Sequence, residues 1–105
     1  MIIHDDKNAR VHELLTLNAG TVFKGTVATH TTTPGLAPTG ALIGPVEDQA
    51  VRYTIHGVDP VVATKLGHLM AVGDTLYLSN TNNVVNFRAV REAAVTAYIP
   101  ITYLY

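Results

Sequence analysis

The sequence contains no cysteine and no tryptophan. The first absence removes disulfides, thiolate metal sites and cysteine nucleophiles together. Charge is also scarce: Asp, Glu, Lys and Arg make up 14% of the 105 residues, and seven basic residues against eight acidic ones leave a formal net charge of −1. A protein whose work is to neutralise phosphates needs clustered Lys and Arg, so nucleic acid is not an expected partner. No stretch approaches the ~20 apolar residues of a membrane helix, and no membrane partner is expected. The opening MIIHDDKNAR has two adjacent acids and no apolar run after them, which fits neither a secretory signal nor a transit peptide. The expectation is a soluble chain made in the cytosol.

Hydrophobic residues supply 48% of the chain, too many for intrinsic disorder and enough for one core. Threonine occurs 14 times and valine 13 times. Side chains branched at Cβ lose freedom in helices and fit a pleated surface, so the bias predicts an all-β chain.

Residues 1–10 are polar and read as a flexible lead-in to a single domain over 11–105. VHELLTLN (11–18) fits either a strand or a short helix capped by Asp5 or Asp6 and carrying Val11, Leu14 and Leu15; the flanking sequence favours the strand. TVFKGTVAT (21–29) alternates as a strand, with Gly25 as a candidate bulge. THTTTPGLAPTG (29–40), with two prolines, two glycines and five threonines, predicts an extended loop outside regular pairing. Loops of that length in small domains tend to be functional or mobile. ALIGPV (41–46) is a short strand broken by Gly44-Pro45. In AVRYTIHG (50–57), Val51, Tyr53 and Ile55 alternate with Arg52, Thr54 and His56, the period of a half-buried strand.

GVDP (57–60) predicts a turn, and 61–67 runs on to a second one. A Gly-Asp turn then precedes a strand with Leu76 and Leu78 inward. Asn80, Asn82 and Asn83 mark a tight turn, and VVNFRAVRE (84–92) and AVTAYIPITYLY (94–105) complete the set of strands. Pro100 lacks a backbone donor, so the last strand is expected at a sheet edge or bulged there. Seven or eight short strands with turns about every ten residues predict an antiparallel β-sandwich ahead of a barrel.

No catalytic, cofactor or metal site emerges. The five histidines, at 4, 12, 30, 56 and 68, show none of the spacings of zinc ligands. The carboxylates sit mostly beside turn residues, whereas acid–base catalysis needs two facing one pocket. Ser79, the single serine, lacks a nucleophile elbow, and the eight glycines form no phosphate-binding pattern. The chain therefore reads as a non-enzyme without cofactors. Arg52, Arg88 and Arg91 are placed for cross-strand ion pairs or for acidic groups on a neighbouring chain. AYIPITYLY carries Tyr98, Tyr103 and Tyr105 with no charge, which fits core packing on one face and subunit packing on the other.

From about Ala41 to Tyr105 the chain resembles small proteins encoded among the virion genes of tailed bacteriophages. The resemblance is carried by Arg52-Tyr53-Thr54, the turn Gly57-Val-Asp-Pro60, Gly73-Asp74 before Leu76-x-Leu78, the asparagine-rich turn, Phe87-Arg88-Ala89, and a closing strand ending in aromatics. His56 stands where those proteins usually have an aspartate before the turn glycine. These are turn and core residues, specific for a fold rather than an activity. The resemblance implies a β-sandwich structural protein of the virion, several of whose kind decorate or cement the capsid exterior. It implies the phage major capsid protein as partner, a homo-oligomer (dimer or trimer), and assembly in the host bacterial cytoplasm. Thr31, Thr32, Pro34, Leu36 and Pro38 in the 29–40 arm, with Tyr98, Tyr103 and Tyr105, are then the candidate interface residues. A head–tail connector, a tail-associated protein or a glycan-binding adaptor is the alternative within the virion. Tyr53-Thr54-x-x-Gly57-x-x-Pro60 is also similar to sandwich domains appended to glycan-acting enzymes, but without tryptophan the chain offers no such stacking platform.

Overall fold

The computed structural model describes residues 9–24 and 38–105. Eight strands and one short helix follow in order: β1 Ala9–Leu17, β2 Phe23–Lys24, β3 Gly40–Ile43, β4 Val51–Thr54, β5 His68–Met70, β6 Leu76–Leu78, α1 Thr81–Asn86, β7 Arg88–Arg91 and β8 Ala97–Leu104. They form two antiparallel four-stranded sheets, β1-β8-β3-β6 and β2-β7-β4-β5. The all-β sandwich is as the composition requires. Of the 21–29 segment, only Phe23–Lys24 is strand among the described residues; 25–29 lies outside them. The first strand starts within the stretch read as lead-in, at Ala9.

Alternation fills the core from both sheets. Leu15 and Leu17 of β1, Ala41 and Ile43 of β3, and Ala97, Ile99, Ile101 and Tyr103 of β8 face inward. They meet Val51 of β4, Met70 of β5 and Ala89 of β7, with Val84 and Phe87 closing one side. Tyr53 sits between two rings, with its centroid 5.5 Å from His68 and 5.8 Å from Phe87. Burial raises the Tyr53 phenol above the usual tyrosine value. The folded state therefore holds this proton more tightly than the unfolded chain does. The associated stability is complete below the unfolded pKa and is lost as the pH rises through the folded one. Alkaline absorbance titration should place Tyr53 among the late-ionising tyrosines, and Tyr53→Phe should reduce the amplitude of the late step.

Three expectations need correction. The asparagine cluster does not make a tight turn: Asn80 caps a helix, its side chain accepting from the Asn83 backbone N–H at 2.8 Å. Residues 84–86 belong to that helix, and the strand expected over 84–92 is reduced to Arg88–Arg91. Asn80→Ala should cost about 1 kcal/mol in chemical denaturation; no loss at all would show that the cap is idle.

The last strand is not an edge. β8 lies between β1 and β3. Proline is accommodated there because Gly44 N–H donates to Pro100 O at 2.8 Å while β3 leaves the ladder at Gly44-Pro45, a cis bond. The donor that Pro100 lacks would have pointed at this departure. Over 44–46 the chain turns instead toward residues 73–74, with Val46 N–H on Asp74 O (3.1 Å) and Gly73 N–H on Val46 O (2.8 Å). It rejoins β8 through the Glu47 and Tyr98 pair.

The third correction concerns β4. Arg52 and Thr54, expected on a polar, wetted face, are 8% and 1% exposed.

Candidate functional site

The burial of Arg52 and Thr54 follows from what lies over them. Residues 57–67 fold back across the outer face of the β2-β7-β4-β5 sheet. The Arg52 guanidinium forms a two-pronged pair with Glu92, Nε to Oε2 and Nη2 to Oε1 each at 3.1 Å. Its third prong, Nη1, donates to Gly67 O at 3.2 Å. Thr54 Oγ1 donates to Val58 O. Arg88 donates to Asp59 at 2.6 Å. Pro60 is buried beneath the loop, and a bridge between Val61 and Leu66 closes its far end. Of the three arginines considered for ion pairs, Arg52 and Arg88 thus act within the chain, as cross-strand and strand-to-loop clamps.

The outward side of this loop carries Val58, Val61 and Leu66, each at least 40% exposed. Asp59 and Lys65 are interleaved with them, and both are exposed. A crease of about 400 Å3 separates the loop from the 92–97 turn, with Val62, Val90 and Ala94 in its walls. Glu92 borders it, but its carboxylate is already held by Arg52.

Two further carboxylates are similarly committed. Tyr103 OH donates to Glu13 Oε1 at 2.8 Å. Asp74 Oδ2 accepts from Ala71 N–H at 2.9 Å and closes the Gly73 turn. His12 Nδ1 lies 2.9 Å from Thr102 Oγ1, and His68 stands against Tyr53. Among the described residues, no three His, Asp or Glu side chains come together as metal ligands. His4, His30, Asp5 and Asp6 lie outside them.

The candidate interface residues divide. Thr31, Thr32, Pro34 and Leu36 lie outside the described residues. Pro38 and Tyr103 are buried, Tyr103 to 1% exposure, which removes both from any contact surface of the folded chain. Their burial has a simple cause: Tyr103 shares the inward parity of Ile99 and Ile101, and the adjacent Thr39 N–H is tied to Leu104 O at 2.8 Å. Tyr105 packs partly against the core. Tyr98 takes the opposite parity and faces outward, half-exposed.

Tyr98 belongs to a surface that sequence reading did not assemble. On the outer face of the β1-β8-β3-β6 sheet, register places Thr16 beside Tyr98 and Leu14 beside Pro100. Next comes a row of His12, Thr102, Leu42 and Tyr77 across all four strands. Leu14 is 55% exposed. The charge described on this face is at its margin: exposed Glu47 pairs opposite Tyr98, on the side away from Thr16. The signal was present in the sequence as failed alternation. Leu14-Leu15, Ala41-Leu42-Ile43, Leu76-Tyr77-Leu78 and Ala97-Tyr98-Ile99 are apolar or aromatic on both faces of their strands, a pattern expected where both faces are covered.

Comparison with known proteins adds no relative. No family model, curated protein or solved structure matches the chain. The described residues therefore present one sheet face partly covered by its own clamped loop and one sheet face left open, with apolar, aromatic and hydroxyl side chains and Glu47 at its margin.

Proposed function

We propose that this chain is a non-enzymatic structural protein of a tailed-bacteriophage particle, set on the capsid exterior as a decoration or cement protein. The observation that carries the reading is the division of labour between the two sheets. Arg52, Glu92, Arg88 and Asp59 are spent on holding the chain's own strands and loop, while a four-stranded face rich in Leu, Tyr, Pro and Thr, with Glu47 at its margin, is left for contact. Such a face suits protein–protein packing, because tyrosine buries its ring and keeps its hydroxyl hydrated. The resemblance over 41–105 supports the same reading through its turn and core residues. Gly57 (φ 85°) and Gly73 (φ 91°) occupy turns that favour glycine, and Leu78, Phe87 and Ala89 are core.

In this reading many copies bridge neighbouring subunits of the major capsid protein, and weak single contacts are multiplied by avidity across the shell. The Thr/Pro/Gly segment at 29–40 is the natural second point of attachment. The absence of cysteine suits a protein that is made and assembled in the reducing host cytoplasm.

Quantitative gel densitometry of purified virions tests the proposal. A copy number on the scale of the major capsid protein is expected. A small ring of copies would favour a head–tail connector or a tail-associated adaptor, and absence from washed particles would overturn the virion reading.

A further inference from the structure

We propose that the crease between the 57–67 loop and the 92–97 turn is a docking site for a segment of a partner protein that sets one carboxylate beside aliphatic side chains. The inference does not rest on the virion reading, since it concerns a site on the isolated protein.

Arg91 carries the argument. Three arginines stand on the paired strands β4 and β7, and two of them, Arg52 and Arg88, are matched to Glu92 and Asp59. Arg91 makes no hydrogen bond or ion pair among the described residues. It is nevertheless half-buried: it stands opposite Val51 in the ladder and lines the crease. A guanidinium has five N–H donors to place and no acceptor. Glu92, the one carboxylate lining the crease, has both oxygens engaged by Arg52. The remaining walls are largely aliphatic, with Val61, Val62, Val90, Ala93 and Ala94 around about 400 Å3 of space. The complement of one unmatched cation in aliphatic surroundings is one carboxylate with aliphatic neighbours. Arginine meets such a group through two parallel hydrogen bonds, which fix its position as well as its charge.

The hairpin that forms one wall gives an independent sign. Val61 and Leu66 exchange backbone hydrogen bonds at 3.0 Å, and Lys65 N–H closes the turn on Val62 O at 3.1 Å. Lys65 does so at φ 58°, a left-handed conformation that costs any residue with a Cβ and that glycine takes freely. Strained positions of this kind collect at binding sites. The lysine side chain held there is exposed and has no partner among the described residues, and Val61 and Leu66 beside it are each 40% exposed. Asp59, the carboxylate of the same loop, is spent on Arg88. The spare charge of loop and crease is therefore Lys65 and Arg91, both of one sign, and a protein partner is selected by the opposite sign.

The shape favours a chain over a small molecule. The crease is open, and Ala63, Ala93 and Ala94 on its lips are exposed, whereas a site for a free small molecule encloses most of its ligand. Single-stranded nucleic acid would stack its bases on aromatic rings, and no aromatic side chain lines the crease among the described residues.

The test is a nitrogen–proton NMR titration of the full chain with two blocked tripeptides, acetyl-Leu-Glu-Val-amide and acetyl-Leu-Gln-Val-amide, and with sodium hexanoate. The expected result is a saturable set of shifts confined to residues 61–66 and 90–94, with a dissociation constant in the millimolar range for the Glu peptide. The Gln peptide should bind roughly fivefold or more weakly, the loss of one charge-assisted pair. Arg91→Gln should weaken the Glu peptide to the same extent and leave the Gln peptide unchanged. Should Arg91→Gln fail to fold, Ala94→Glu, at an exposed position, offers the guanidinium a carboxylate of its own and should weaken the Glu peptide equally. No saturable shift, equal affinity for the two peptides, an affinity indifferent to the crease variants, or hexanoate bound more tightly than the Glu peptide would each overturn the proposal.

Discussion

Replacing Glu92 with leucine should destabilise the protein by about 2–3 kcal/mol, and most of the damage should appear in residues 57–67. Arg52 is 8% exposed, and its guanidinium is satisfied by two prongs on Glu92 and one on Gly67 O. Removing the carboxylate leaves a cation in a site that water barely reaches. Breaking a fully buried pair in this way typically costs 3–5 kcal/mol. The Glu92 side chain is 28% exposed, so solvent recovers part of that and the lower figure applies. For a domain of this size the melting temperature should fall by roughly 10–20 °C.

Arg52→Met should cost less, because methionine keeps much of the apolar stem and leaves no charge behind, although Gly67 O loses its donor. The double variant should approach wild-type stability, since an apolar pair can replace a buried ion pair at little cost. Urea denaturation of the four proteins gives the coupling energy directly. A cost below ~0.5 kcal/mol for Glu92→Leu would mean that the pair behaves as an ordinary surface contact.

Gly44→Ala should be at least as damaging, at about 3 kcal/mol or more, and its comparison with Gly73→Ala separates two causes. Both glycines adopt positive φ, 102° and 91°. That conformation alone costs an L-residue about 1–2 kcal/mol. A Cβ on Gly73 would meet nothing within 4 Å, so only the backbone preference should be felt. A Cβ on Gly44 would sit 2.5 Å from the Asp74 carbonyl oxygen and 3.2 Å from Thr75 Cα. Both obstacles are main chain and cannot swing aside. Relief requires the 73–75 turn to move, which pulls on the two backbone hydrogen bonds that Val46 makes to it. Equal losses for the two variants in thermal melts would show that the turn yields easily and that the close approach is of no consequence.

Much of the sandwich was legible because alternation is a local property. Val51 and Tyr53 could be assigned inward, and the break at Gly44-Pro45 could be placed, from nearest neighbours alone. What escaped depended on partners distant in sequence. Arg52 looks like a wetted position until Glu92 and the carbonyl of Gly67 are brought to it by β7 and the covering loop. Pro100 looks like an edge residue until Gly44 is seen leaving the ladder opposite it. The asparagines at 80–83 carry turn chemistry and helix-capping chemistry in the same side chain. Only the burial of Val84 among Phe87 and the sheet residues selects the helix. The outer face was written in the sequence as doubled apolar positions, but which strands would lie side by side was not. Leu14 and Tyr77 come from opposite edges of one sheet, and β8 and β3 must stand between them before they share a surface.

The pairing of β1 with β8 has a consequence for how the protein is made. Leu17 lies opposite Ala97, and Val11 opposite Tyr103, so the ladder joins stretches of chain some 80 residues apart or more. Such long closures are slow relative to local turns, and they place folding in the milliseconds-to-seconds class. On the ribosome, β1 has no ladder partner until residues 97–104 have been made, and β3 meets its inner neighbour at the same moment. A chain interrupted before residue 97 lacks the strand that joins the other three of its sheet. The β1-β8-β3-β6 sheet therefore closes only once β8 has been made, and a product cut short of it cannot complete the fold.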